Sequence, residues 1–496
     1  MDKLKKEPKY NTELCDDKMS FKDCELVILR HTVDEIENNN QKKIANGEEI
    51  AKMISILEGF LIRKKLICYG GTAINNVLPK SAQFYNRDIE VPDYDFYSSH
   101  AMDDAIELAD LYSSEGYLEV EAKAGVHHGT YKVFVNFIPM ADVTYLPNEL
   151  FIEMIKEAVT VAGIKYAPIN YLRMNMYWEL SHPNGDVSRW EKVLKRLTLL
   201  NTHHPFKTEY NCMTVDFQRK MDTGQNSSEE LYSLVRKTFI ELDVIFFGGY
   251  ASSLYSQYMP EKQRKIMEKI PDFDVISEEP EKTAMIICER LTESGFKNAK
   301  SIIHEPIYER MGLHIEIRVG KETVAFIYKP LACHSYNKIK IDGDEINIAT
   351  IDTMLAFYLA FYYINKPYYP RDRILCMSKF LFEVEQNNRL EQKGILKRFS
   401  ISCYGTQLSL SEMRNEKTLK FKELSDKKGT REYNMWFLKY NPAEKSKFYN
   451  VDTSNKFLKK NKYNKTYKKR YRPNYKKNYK KKSYRKKNYR KSGFLF

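Results

Sequence analysis

Asp93 and Asp95 stand two residues apart in Pro92-Asp93-Tyr94-Asp95-Phe96. A strand alternates its side chains, so both carboxylates face one way while Tyr94 packs on the other side. Two carboxylates aimed at one point repel unless a cation joins them, and Mg²⁺ favours a few carboxylates together with phosphate oxygens. A third acid is available at Asp142, in Pro139-Met140-Ala141-Asp142-Val143-Thr144-Tyr145, a segment that reads as a neighbouring strand. Three acids on adjacent strands can hold two divalent ions about 3.5–4 Å apart, one activating a hydroxyl and the other gripping a triphosphate and its leaving group. In that arrangement Asp93 and Asp95 bind both ions, and Asp142 holds the ion at the hydroxyl and accepts its proton. The chemistry such a set supports is nucleotidyl transfer.

Upstream, Gly70-Gly71-Thr72 follows the apolar run Leu66-Ile67-Cys68-Tyr69. Glycines let the backbone approach phosphates, the start of the next helix offers free N–H groups, and Thr72 adds a hydroxyl. No Walker-type G-x-x-x-x-G-K-[ST] run occurs. Lys80, Arg87, Arg173 and Arg189 are further candidates for a triphosphate, and Asn170 and Tyr171 for a base or ribose. His127-His128 reads as a solvated turn, because no second ligand stands at helical spacing.

These residues need a strand, a Gly-Gly turn, a short helix, a loop and a second strand to position them, and the chain spells that series twice. Phe247-Gly248-Gly249-Tyr250 precedes Pro271-Asp272-Phe273-Asp274-Val275 much as Gly70-Gly71 precedes Asp93 and Asp95. The likeness continues in Ile169-Asn170-Tyr171-Leu172-Arg173-Met174 beside Ile351-Asp352-Thr353-Met354-Leu355-Ala356, and in Arg189 beside Arg371. A slow drift of the offset between copies is the mark of a duplicated unit with small insertions. Aligning Pro147 with Pro330 puts Ala325 where the first copy has Asp142, and bulky Tyr250 replaces Thr72. The second copy is therefore expected to be inactive, with Asp272 and Asp274 kept as solvated or paired groups; another register would bring in Glu316 or Glu322.

Around the motifs, a helix is expected near Cys24–Glu37 and another over Glu48–Lys64, whose Ile50, Met53, Ile54, Leu57, Phe60 and Leu61 recur at helical spacing. Helices follow at Asp103–Ser114, Glu149–Thr160, Ile169–Leu180 and Val187–Leu200, with strands at Tyr131–Phe137 and Ala141–Tyr145. A linker rich in polar residues precedes a helix from Ser227 or Ser228 to Glu241. The 496 residues exceed one ordinary core. No apolar run approaches the roughly 18 residues of a membrane span. The eight cysteines show no C-x-x-C pair, and thiols in a cytosol-like reducing compartment are expected.

The net charge of +14 hides an asymmetry, because nineteen Lys and Arg with no acid lie between Lys456 and Lys491, leaving the rest of the chain acidic. This tail has too few aliphatic residues for a core and is expected to be disordered. Tyrosines recur through it at Tyr463, Tyr467, Tyr471, Tyr475 and Tyr479. Aromatic rings can stack on unpaired bases while cations neutralise phosphates. Lys468, Lys469, Arg470, Tyr471, Arg472 and Tyr475 are the candidate RNA ligands.

The order strand, Gly70-Gly71-Thr72, helix, Asp93-x-Asp95 and later Asp142 resembles the polymerase-β-type nucleotidyltransferase superfamily. The degenerate second copy makes the pair similar to the poly(A) polymerase catalytic subunits of large nucleocytoplasmic DNA viruses, over roughly Glu48 to Lys393. That resemblance implies an α+β fold of two tandem nucleotidyltransferase-like domains, each a mixed sheet flanked by helices. The expected organisation is an N-terminal helical extension at 1–46, a catalytic domain with a helical part at 47–218, a linker and helix at 219–240, a degenerate domain at 241–395, a C-terminal extension at 396–455 and the basic tail at 456–496. It further implies template-independent addition of AMP from ATP to RNA 3′ ends with two Mg²⁺ or Mn²⁺ ions and release of pyrophosphate. Its partners would be ATP, a single-stranded RNA 3′ end and a second copy or processivity partner, with no membrane, in the virion and host cytoplasm. The residues leave open another transferase of the superfamily, such as an oligonucleotide synthase or tRNA-end enzyme, or an inactive RNA-binding scaffold.

Overall fold

The computed structural model describes residues 13–15, 19–45, 47–86, 91–217, 227–267 and 272–444. The six candidate RNA ligands with the rest of the expected basic tail, Arg87 and most of the expected linker lie outside them.

Two eight-stranded sheets carry the fold. The first is built from β1 (Ile67–Tyr69), β2 (Tyr94–Ser98), β3 (Val120–Ala124), β4 (Thr130–Val135), β5 (Ile138–Tyr145), β6 (Val159–Val161) and β7 (Ile164–Tyr166). The second holds β8 (Ile245–Phe246), β9 (Phe273–Ile276), β10 (Ala299–His304), β11 (His314–Val319), β12 (Glu322–Tyr328), β13 (His334–Ile341) and β14 (Asp344–Ala349). Two short strands, β15 (Cys403–Tyr404) and β16 (Lys439–Tyr440), complete one edge of each. The orders are β16-β3-β4-β5-β2-β1-β7-β6 and β10-β11-β12-β9-β8-β14-β13-β15. Leaving out β15 and β16, the strand number in the second sheet is seven higher at every place. Directions repeat as well: β2 is parallel to β5 as β9 is to β12, and β1 to β7 as β8 to β14. The expected pair of mixed α+β units is present, within one compact unit reaching Pro442.

Local chemistry explains the elements. The helix Glu48–Lys64 buries Ile50, Met53, Leu57, Phe60 and Leu61 and stops at Lys65, which is left-handed at φ 55° and returns its N–H to the last turn. The first helix is longer than expected, Phe21–Ala45, and the helix Ser227–Glu241 begins at the expected serine. Two short-range expectations fail. Phe137 is not in a strand, because Asn136 and Phe137 both adopt positive φ in a tight hairpin turn. Thr160 leaves the helix, which ends at Lys156, and joins β6, where β-branched Val159, Thr160 and Val161 suit a strand.

The copies meet along a helix pair, Ile169–Leu180 and Ile351–Ile364, the very segments whose sequences match. All fourteen residues of the second helix are buried, which explains why it is apolar all round. Arg398 ties the seam together, bonding Asp352 and Glu385, while Tyr177 of the first copy donates to Glu385. His182 and His334 add a buried ring contact of 3.1 Å between nitrogens. The C-terminal extension crosses back: β15 joins β13, and β16 joins β3 of the first sheet, held by Arg431 on Asp103.

The expectation of eight thiols is corrected. Cys15–Cys24, Cys212–Cys376 and Cys333–Cys403 are disulfides, leaving Cys68 and Cys288 free. Their partners lie 9, 164 and 70 residues apart, so a search for close cysteine pairs could not find them. The cysteines therefore lend no support to the expected reducing compartment.

Candidate active site

Alternation along β2 puts Asp95 on the same face as Tyr97, and the register sets Asp95 directly beside Asp142 of β5. Asp93 stands at the exposed entry to β2 and Asp95 is partly buried. Burial raises the Asp95 carboxyl to about 7, helped by the like charges of Asp93 and Asp142. Asp93 is pushed in the same direction by lost hydration and by Asp142. Lys132, opposite Asp142 on β4, bonds its carboxylate. Three mutually repelling carboxylates with a lysine drawn to one of them are a donor set that fits divalent cations. Among the described residues no three such side chains are closed to shared-ligand distance. Asp142 turns to Lys132 instead.

Gly70 and Gly71 open the helix Gly70–Val77. Gly70 has φ +72°, and a β-carbon there would lie 2.5 Å from Asp95 Oδ2, so glycine is needed to seat the acid as well as to admit a ligand. A β-carbon on Gly71 would meet the Tyr85 hydroxyl at 2.4 Å and the Arg196 guanidinium at 3.0 Å. Arg196 Nη2 donates to Tyr85 at 2.8 Å, which holds the cation over the turn.

Several expected ligands do other work. The Thr72 hydroxyl is buried and donates to the Asp93 carbonyl at 2.6 Å, so it anchors the acid loop and is not offered to a phosphate. Tyr171 is buried in the seam, edge-on to Tyr97 and Tyr363, and does not face a base. Arg173 is 1% exposed, lies against Phe206 and Phe382, and spends its donors on Asn201, Asn170 and the His204 carbonyl. It is a structural cation, and Asn170 serves as its acceptor at the edge of a cleft lined also by His204 and Lys207. Arg189, by contrast, lies within electrostatic reach of Asp95. Its side chain is 57% exposed, ion-paired to Glu179 at 3.1 Å, and its field lowers the Asp95 carboxyl against the stronger opposing effects.

Sequence reasoning missed Lys132, Lys192 and Arg196. Lys132 and Lys192 both act on Asp93. Arg189, Lys192 and Arg196 are spaced i, i+3, i+7 along the turn and helix Trp190–His203, hence on one face toward the acids. That spacing was the available signal.

The second copy is built from equivalent parts and closed. Asp272 and Asp274 are 1% and 5% exposed. Arg373 binds Asp272 at 2.7 Å, and Tyr328 reaches Asp274 at 3.4 Å. β-Carbons on Gly248 or Gly249 would fall about on the carboxylates themselves, at 2.0 and 2.1 Å. The counterpart of Asp142 is Phe326, which pairs with Asp274 as Asp142 pairs with Asp95; the alignment that chose Ala325 was one residue out of register. Glu316 faces Phe326 but is held by Arg318, Thr323 and His304. The acids survive as paired groups.

Residues 55–186 match the family model of the poly(A) polymerase catalytic subunit. A putative poly(A) polymerase catalytic subunit of African swine fever virus is 32% identical over 215 residues, 41% of this chain and 44% of the relative. A putative poly(A) polymerase catalytic subunit of Acanthamoeba polyphaga mimivirus is 27% identical over 190 residues, 37% of this chain and 30% of the relative. The matches thus span less than half the length of these relatives. The crystal structure of the Megavirus polyadenylate synthase superposes with a TM-score of 0.70 over 89% of each chain at 18% identity, a likeness of fold. The resemblance to the poly(A) polymerase catalytic subunits of giant viruses is borne out, in sequence across the segment that holds Gly70, Gly71, Asp93, Asp95 and Asp142, and in fold across both copies.

Proposed function

We propose that the chain is a poly(A) polymerase that adds AMP from ATP to RNA 3′ ends without a template. The observation that carries this reading is the open set Asp93, Asp95 and Asp142, flanked by a glycine turn and a basic helix face. Magnesium or manganese ions held by Asp93, Asp95 and Asp142 would neutralise the triphosphate and make the 3′-hydroxyl a better nucleophile. The hydroxyl oxygen forms a bond to the α-phosphorus, the bond to the bridging oxygen of pyrophosphate breaks, and the hydroxyl proton passes to Asp142. Gly70 and Gly71 give the phosphates backbone N–H groups at a helix start. Arg189, Lys192 and Arg196 line the same side and suit the leaving pyrophosphate. Lys132 neutralises Asp142 and would release it to the site when a substrate and its ions arrive.

The basic, tyrosine-rich tail supports a polymeric acceptor, through stacking on bases and neutralising phosphates. By likeness to the viral relatives the enzyme works in the host cytoplasm, is carried in the virion, and acts as a homodimer or with a processivity partner; sedimentation with and without RNA checks the last point. The activity itself is tested by incubating the full chain with oligo(A) RNA, ATP and Mg²⁺. Extension that vanishes in Asp93→Ala/Asp95→Ala supports the reading. No extension by the unaltered chain across metals and salts, or full extension by the double variant, sinks it.

A further inference from the structure

In-line displacement puts the attacking hydroxyl opposite the leaving pyrophosphate. Here the leaving side is the one with Gly70, Gly71 and Arg196. Along β2 the opposite direction leads from Asp95 to Tyr97, about 7 Å further on the same face. Along β5 it leads from Asp142 to Thr144 and the end of the strand at Tyr145.

The second copy arrives at this place. The turn Tyr308–Arg310, between β10 and β11, lies against the first sheet: Tyr308 donates to the Tyr145 carbonyl at 2.6 Å, and Arg310 Nη2 donates to the hydroxyls of Tyr97 and Tyr171 at 3.3 and 3.1 Å. Among the described residues no carboxylate forms an ion pair with Arg310, and its buried Nε has no hydrogen-bond acceptor. Arg373 of the same copy and Arg398 of the C-terminal extension are, by contrast, each held by carboxylates. A half-buried cation whose partners are neutral hydroxyls and, at 5.7 Å, the Tyr171 ring lacks a counter-charge until an anion joins it. Beside it Tyr145 is 40% exposed, with its ring 6.0 Å from that of Tyr308, an aromatic surface on which an unpaired base can stack.

We infer that the seam between the copies is the binding site for the acceptor strand: Arg310 of the second copy takes a phosphodiester near the RNA 3′ end, and Tyr145 carries a base. The inference rests on the polymerase reading for its direction. The degenerate copy thus supplies the RNA ligand that the catalytic copy lacks.

The test uses the full chain, with fluorescent oligo(A) RNA in the absence of ATP, and primer extension alongside. Arg310→Gln is expected to raise the RNA Kd and the KM for RNA about tenfold, as loss of one charge-assisted contact does. The KM for ATP should stay within about twofold, and the slope of log affinity against log salt should fall by about 0.7, one phosphate of a single strand. Arg310→Lys should recover most of the affinity. An unchanged RNA Kd in folded Arg310→Gln, or a rise in the KM for ATP alone, would overturn the inference, as would a drop only in thermal midpoint, the sign of a mere packing role. If the chain binds RNA through Arg310 but extends none, the polymerase reading fails and this site stands.

Discussion

Asp95 and Asp274 occupy the same place in two sheets of the same strand order, and their surroundings have diverged in opposite directions. Around Asp95 the neighbours are charged and reachable: Asp142 beside it, Lys132 across from that, and Arg189, Lys192 and Arg196 on the facing helix. Around Asp274 the corresponding neighbours are Phe326 and Glu316. Taking Arg371 as the equivalent of Arg189, Ile374 and Ser378 replace Lys192 and Arg196. Arg371 itself turns to Glu153 of the first copy. A site with repelling acids is stable only if water or ligands reach it, whereas one whose acids each gain a partner can close and become core. Loss of the third acid, loss of the cationic face and closure belong together.

This contrast can be broken by substitution at equivalent positions. Asp142→Ala should lower kcat on the order of 10³-fold, while Phe326→Ala should leave activity per folded molecule intact and cost about 3–5 kcal/mol in a denaturant titration. Asp272→Ala should destabilise by about 3 kcal/mol, because Arg373 would be left buried without its counter-charge. Arg196→Met should raise the KM for ATP about tenfold with little change in stability. A last effect concerns the seam and depends on pH. Burial lowers His182 to about 3 and His334 likewise far below its ordinary range. The unfolded chain, whose histidines titrate near 6.5, then binds more protons below that pH. Stability is therefore complete above about pH 6.5 and lost as pH falls, by up to about 1.4 kcal/mol per unit for each ring. Thermal midpoints from pH 7 to pH 4 should fall in the unaltered chain and less steeply in His182→Gln/His334→Gln.

Much of this was legible in the residues. Period-two alternation, the glycine pair and the repeat located β1, β2, β5 and their copies, and named the three acids. What escaped was set by tertiary pairing. Register chose Phe326 over Ala325, since a one-residue slip flips a strand's faces and no local pattern marks it. The types of Thr72, Tyr171 and Arg173 suit phosphates and bases, yet each is spent on neighbours brought close only by folding. Lys132 was missed because its role depends on β4 lying against β5. Two of the three disulfides join residues 164 and 70 apart in sequence.

The most direct test of one open site beside a closed relic is RNA extension by Asp95→Asn and Asp274→Asn, each normalised to its folded fraction. The account predicts that Asp95→Asn abolishes extension while Asp274→Asn retains it within about threefold, a change near the 0.6 kcal/mol scale of thermal energy. Equal losses, or a loss confined to Asp274→Asn, would contradict it.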